Sequence, residues 1–296
     1  MADSGVACAV PEMELLKGKT FPPVSQTYGE RDCILYALGL GIGNDPCNVE
    51  QLRFVQGSRI SVLPTMAAVL ASPGEWMRDP SLGIKWERLV ALSHHLDIFR
   101  PIPSAGTVHS LVKITDVFDR GQARGALIRW QRELIDTSTQ ECLAILSGQA
   151  LARDNGGFGG RAAPVVVRDT EPDGPPQIRF RWTTLEMQAL LYRLSGDLNP
   201  LHSDPGVAKA AGFEKPILHG LCSLGVACFA IVSTVCQGDT AAIKQISARY
   251  TGVVYPGETL EVQIWNDGPN VRFRCRVEER DSVVLNGGTV QRLVLQ

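Results

Sequence analysis

The segment that begins at Thr27 returns at Thr183. Set side by side, Thr27, Glu30, Ile34, Leu35, Tyr36 and Leu38 fall on Thr183, Glu186, Leu190, Leu191, Tyr192 and Leu194. Asn44-Asp45-Pro46 follows the first copy much as Leu198-Asn199-Pro200 follows the second, after a small insertion. Val62-Leu63-Pro64-Thr65 then matches Ile217-Leu218-His219-Gly220, and each leads into an apolar run expected to form a helix. A pattern used twice at this scale is an internal duplication, one structural unit in each half.

Each half continues as β-structure. Thr107–Thr115, Arg124–Leu134 and Glu141–Ala150 alternate or run apolar in the first. Ser247–Tyr250, Thr259–Asn266, Val271–Glu278 and Val283–Val290 do so in the second, with turns at Asp267-Gly268 and Glu279–Asp281. Helix then strands, twice, predicts an α+β chain rather than a doubly wound sheet. Residues 1–20 read as a lead-in, and the Gly- and Pro-rich stretch 153–177 reads as a connector. The units are therefore placed at 14–152 and 178–296. A length of 296 residues suits two such units.

Composition narrows the function classes. Hydrophobic residues at 44% and charged residues at 20% fit a globular protein, and a net charge of -2 argues against a nucleic-acid partner. Met-Ala-Asp-Ser-Gly has no basic region before an apolar core, so no signal peptide is expected. Leu-Val-Leu-Gln at the C-terminus is not a peroxisomal address, and a cytoplasmic location is the expectation. The uncharged stretch Gly220–Gly238 is broken by Ser223, Ser233 and Thr234. It falls short of the ~20 apolar residues a membrane span needs, so a buried helix is expected. Eight cysteines include no Cys-x-x-Cys pair, and Cys222, Cys228 and Cys236 sit in that apolar stretch. Both facts predict a reducing compartment without structural disulfides.

Chemistry concentrates between Tyr192 and Leu221. An apolar run stops at Ser195-Gly196, and a polar loop then offers Asp197, Asn199 and His202. On a straight helix Asp197 and His202 would lie about 140° apart. Pro200 disfavours helix at Asn199, so the backbone must curl. In a curl, a carboxylate, an amide and an imidazole can converge on one small molecule such as water, a plausible acid/base set. A short helix is predicted next, with Asp204 as N-cap, Pro205 in the first turn and Gly212 as the stop.

Ser195-Gly196-Asp197-x-Asn199-Pro200-Leu201-His202, then Gly212-Phe213-x-x-Pro216-Ile217-Leu218-His219-Gly220, resembles the hydratase 2 motif of the MaoC-like dehydratases. A weaker likeness runs across nearly the whole chain. The resemblance implies (R)-specific 2-enoyl-CoA hydration on a hotdog fold, an antiparallel sheet wrapped round a central helix. Two units imply a double hotdog with a central helix in each. The position matching Asp197 is Gly41, and no histidine lies near Pro46, so the first unit lacks the catalytic loop and one active site per chain is expected. By resemblance, that unit accommodates the acyl chain.

The resemblance also implies roles. Asp197 and His202 hold the water and share the acid and base work, Asn199 orients the water or the carboxylate, and the Gly220 amide meets the thioester oxygen. A glycine there precedes an uncharged helix and permits close approach. Which of Asp197 and His202 is acid and which is base stays open at the level of sequence. The expected partner is an acyl-CoA thioester. CoA enters only as part of the substrate, without a further cofactor, and the family pattern implies a homodimer. CoA phosphates need cations. Lys209, Lys215, Lys244 and Arg249 flank the motif or open the next strand. Relatives in eukaryotes carry His-Gly-Glu-Gln in the first unit; here the comparable stretch is Ala91-Leu92-Ser93-His94-His95. A third carboxylate and a long-chain or sterol-side-chain specificity are therefore not carried over.

Other readings compete. Asp204 reads as a helix cap before it reads as a catalyst, and His219 as a shaper of the turn. His94, His95 and His109 do not show ligand spacing, and no metal is expected. A hotdog thioesterase would place a carboxylate on or beside its central helix, but Gly220–Gln237 contains no Asp or Glu. A non-catalytic acyl-binding module would not need Asp197, Asn199 and His202.

Overall fold

The computed structural model describes residues 13–57, 59–164 and 174–293. Residues 1–12 of the lead-in, 165–173 of the connector and 294–296 lie outside them. Ten strands form one antiparallel sheet: β1 Val24–Tyr28, β2 Leu89–Ile98, β3 Gly106–Asp119, β4 Ala126–Asp136, β5 Cys142–Ala152, β6 Ile178–Thr183, β7 Ile243–Tyr250, β8 Thr259–Asp267, β9 Asn270–Val277 and β10 Ser282–Arg292. Their order is β1-β3-β4-β5-β2-β7-β10-β9-β8-β6. Read outward from the centre, 2-5-4-3-1 mirrors 7-10-9-8-6, so each half has the same topology. The halves join where β2 pairs with β7, from Ser93↔Arg249 to Asp97↔Gln245.

Equivalent residues of the repeat do equivalent work. Thr27 bonds Thr107 across β1 and β3 at 2.9 Å, and Thr183 bonds Thr259 across β6 and β8 at 3.1 Å. Such cross-strand threonine pairs help to fix register. Helix α1 (Glu30–Gly39) carries Tyr36, and α3 (Gln188–Tyr192) carries Tyr192. These matched tyrosines meet at a ring separation of 6.0 Å. Gly39 lets the two helices touch, since a Cβ there would sit 3.1 Å from the Tyr192 Cα.

Three further helices complete the described chain: α2 (Val49–Leu52), α4 (Pro205–Ala210) and α5 (Gly220–Thr234). Helix α5 has eleven of its fifteen residues buried, Cys222 to Val232 without a break. It is apolar all round because the sheet and α1 enclose it, so no solvent face has to be polar. Gly225 is the point of closest approach: an added Cβ would meet Leu40 Cδ2 at 2.6 Å. Among the described residues, no helix is long and apolar enough to cross a membrane. Among the described residues, every cysteine is a free thiol.

The first unit departs from its expected plan. The apolar run after Val62 does not form a central helix; Pro64–Ala68 makes a single 3-10 turn. Ala71 then adopts a left-handed φ of 47°, and Ser72-Pro73-Gly74 carries the chain away. Proline lacks the N–H that a helix needs at this point. All five residues of that turn are buried, and Met66, Ala67 and Ala68 join the core. Sequence reading also missed β1, β2 and β6. The first is short and polar, and β2 carries His94, His95 and Asp97, which hide its strand character.

The Gly41 loop is closed off physically. Its φ is +85°, and a Cβ there would meet Trp182 Nε1 and Gln188 Oε1 at 3.2 Å. Trp182 Nε1 donates to the Leu40 carbonyl at 2.9 Å. An aromatic ring from the second unit thus covers the position at which Asp197 sits in the repeat.

Candidate active site

The proline-bent loop curls as expected. Asn199 precedes a 3-10 turn over Pro200–His202, and its Oδ1 accepts from the Leu201 N–H at 3.0 Å. Asp204 caps α4 by accepting from the Gly206 and Val207 N–H groups, and Gly212 ends that segment with φ +89°. Gly196, at φ +118°, turns the chain into the loop, a conformation that favours glycine.

This curl brings the loop ends together. A carboxylate oxygen of Asp197 and one ring nitrogen each of His202 and His219 lie within 4.8 Å of one another. His202 is buried, and its Nδ1–H donates to the Ile217 carbonyl at 2.8 Å. A carbonyl can only accept, so Nδ1 carries the proton and Nε2 keeps its lone pair. His219 is 1% exposed; its Nε2–H donates to the Asp197 carbonyl at 3.2 Å. The two imidazoles stack at 3.7 Å between centroids and 28° between planes. Burial lowers the pKa of both, and the Asp197 charge opposes that shift. Each is therefore a neutral imidazole near neutral pH. His219 shapes the entry to α5, as its position before Gly220 predicts.

Asn199 meets the carboxylate, one of the two roles expected of it, through its backbone rather than its side-chain amide. Its backbone N–H donates to Asp197 Oδ1 at 3.2 Å, while its side-chain oxygen is engaged by Leu201 and by Arg78 Nη2 at 3.2 Å. It fixes the carboxylate through the main chain.

Gly220 is the first residue of α5, with His219 as N-cap. The first intrahelical bonds come from Cys222 and Ser223 to the His219 carbonyl. The Gly220 and Leu221 N–H groups have no acceptor among the described residues, as at any helix N-terminus. The Tyr250 ring packs so closely that a Cβ on Gly220 would sit 2.7 Å from its Cε1.

A cavity of about 270 Å³ lies beside this loop. Asp197, Asn199 and Leu221 line it from the second unit, and Glu75, Arg78, His94 and Arg132 from the first. Lys209, Lys215, Lys244 and Arg249 are not among its lining residues. Lys215 Nζ donates to the Pro256 carbonyl at 3.4 Å. The first-unit groups escaped sequence reading because they come from strands and turns far away in the chain. One local signal existed: the His94-His95 doublet lies on a strand, so its two rings face opposite sides. His94 points inward, with Nδ1 2.7 Å from the Tyr250 hydroxyl, and His95 Nε2 reaches Asp97 at 3.2 Å. A carboxylate from the first unit is present after all, supplied by Glu75 rather than by β2. Burial raises its pKa, Arg78 at 2.6 Å lowers it, and Asp197 adds a smaller upward push.

Residues 26–153 match the model of the MFE-2 hydratase 2 N-terminal domain, and residues 168–287 match the MaoC like domain. An enoyl-CoA hydratase of Mycobacterium tuberculosis is 36% identical over 94% of this chain and 97% of its own. The peroxisomal enoyl-CoA hydratase 2 of Arabidopsis thaliana is 37% identical over 93% of each chain. The chain belongs to the MaoC-like hydratase 2 family. A MaoC-like dehydratase of Phytophthora capsici superposes with a TM-score of 0.84 at 30% identity, covering 96% of this chain and 98% of its own. A Mycobacterium tuberculosis protein described as a double hotdog aligns at a TM-score of 0.58 and 14% identity, covering 94% and 96%. Within the family fold, this chain supplies its cavity with His94, Trp130 and Arg132 from the first unit.

Proposed function

We propose that the protein adds water reversibly across the double bond of trans-2-enoyl-CoA, giving (R)-3-hydroxyacyl-CoA. One observation carries the reading: Asp197, which lines the cavity with Leu221 at the start of α5, clusters with His202, whose Nε2 is unprotonated. His202 Nε2 takes a proton from the bound water as its oxygen bonds to C3. That proton is passed through the Asp197 carboxylate to C2, so water supplies both the hydroxyl at C3 and the hydrogen at C2, and both side chains end as they began. Negative charge that builds on the thioester oxygen meets the Gly220 N–H at the positive end of α5. Proton transfer by such a pair is worth roughly 10²–10⁴-fold.

The thioesterase reading fares worse on this geometry. Helix α5 presents no carboxylate to a thioester carbonyl. The deciding experiment follows ultraviolet loss of the enoyl thioester, the chirality of the product, and free thiol. Hydration removes the absorbance without releasing CoA; thiol release would instead select the thioesterase.

The pH profile tests the base. His202 must be neutral to accept a proton, and its pKa is lowered from 6.5 by burial. Activity is retained as pH drops to 6.5 and is lost only as pH falls through the lowered value. We expect the acid limb of kcat/KM below pH 6.5. An acid limb at or above that pH would count against His202.

Lys209, Lys215, Lys244 and Arg249 are proposed to offer charge to the CoA phosphates. Alanine at whichever of them binds CoA is expected to raise KM and leave kcat unchanged. Unchanged KM in all four variants would remove them from the site.

A further inference from the structure

Arg132 lies on β4, in the row of side chains that includes Trp130 and Leu134 and faces the first unit's interior. It is 3% exposed and lines the same cavity as Asp197. Arg132 Nη2 donates to the Ala67 carbonyl at 3.0 Å and to the Ala68 carbonyl at 2.5 Å. Nη1 and Nε have no hydrogen-bond partner among the described residues, and no carboxylate forms an ion pair with the group. Every other arginine lining this cavity is paired: Arg78 meets Glu75 at 2.6 Å.

A guanidinium this little exposed and without a counter-charge is costly, because most of its hydration is lost and no anion replaces it. Its proton is not readily shed: burial alone pulls the pKa to about 10, still well above neutral. Two carbonyls at the end of the Pro64–Ala68 turn offset part of that cost. A strut for that turn would need only those two bonds, and an uncharged donor would serve. The remaining edge of the fork suits a planar, two-oxygen acceptor. The surroundings agree. Gly148 leaves room for Trp130, whose ring would collide with a Cβ there at 2.3 Å, and His94 meets that ring edge-on at 5.6 Å. Trp130, His94 and Leu146, the residue opposite Arg132 on β5, line the cavity beside it, while Arg78 and Glu75 in the same lining pair with each other.

Resting on the hydratase reading, we infer that the acyl group this cavity selects bears a carboxylate, held by Arg132 at the end away from the thioester. The substrate class is then the mono-CoA ester of a trans-2-enedioic acid. No new bond chemistry is involved; Arg132 is a specificity residue for the same addition of water.

The test compares wild type, Arg132→Met and Arg132→Lys on a short series of such mono-CoA esters against trans-2-enoyl-CoAs of equal length. Wild type should favour the carboxylate-bearing ester at its best length. In Arg132→Met that preference, the ratio of kcat/KM on the two esters, should fall by ~10²-fold, with the greater loss on the carboxylate-bearing ester. Arg132→Lys keeps the charge without the fork and should lose several-fold. Equal losses on both esters would make Arg132 a strut and overturn the inference, as would a preference unchanged in both variants. Calorimetric binding of the saturated dicarboxylic mono-CoA ester needs no turnover. If wild type hydrates neither ester, the hydratase reading fails, and this arm still decides whether Arg132 holds the carboxylate.

Discussion

Asp197→Asn and His202→Ala each fold and each lose hydration of crotonyl-CoA by at least ~10²-fold. The expectation rests on the 4.8 Å cluster and on the tautomer that the Ile217 carbonyl imposes on His202. Asparagine keeps the size and one oxygen of Asp197 but cannot carry a proton to C2. Alanine at position 202 removes the lone pair that draws on water. It also leaves the Ile217 carbonyl without its donor, at a cost of about 1–3 kcal/mol. Circular dichroism and a thermal melt therefore accompany the rate measurement. A variant that folds and retains near wild-type rate would remove its residue from the mechanism.

Gly220→Ala carries the second large effect. Alanine is the better helix former by ~1 kcal/mol in a helix interior, but at the first position little of that gain is realised. Against it stands a methyl 2.7 Å from Tyr250 Cε1 and 3.0 Å from two further ring atoms. The ring cannot swing aside freely, because its hydroxyl is bonded to His94 at 2.7 Å. Overpacking of this kind costs about 1–3 kcal/mol, so the clash wins. Relief requires the start of α5 to move, and the Gly220 amide proposed to meet the thioester oxygen moves with it. We expect kcat to drop by ~10²–10³-fold together with a lower melting temperature. A lower melting temperature with kcat intact would show that this amide takes no part in the reaction.

Legibility in the sequence followed distance along the chain. Ser195–Gly220 could be read because its chemistry is contiguous: a glycine turn, a proline bend, a cap and a helix start follow one another. Duplication was legible for the same reason, since Thr27 and Thr183 head segments of matching pattern. His94, Trp130 and Arg132 were not. They reach the cavity only because β4, β5 and β2 lie side by side, a pairing that local pattern does not specify. The helix expected after Pro64 failed because apolar composition alone was read there. Ser72-Pro73-Gly74 was the countersignal, a helix-breaking triplet just downstream.

Trp182 standing over Gly41 has an evolutionary meaning. Were the two halves separate copies of one gene product, any change in one would be copied into the other. Fusion breaks that bond of identity. One half can then replace its central helix by the Pro64–Ala68 turn while the other keeps α5.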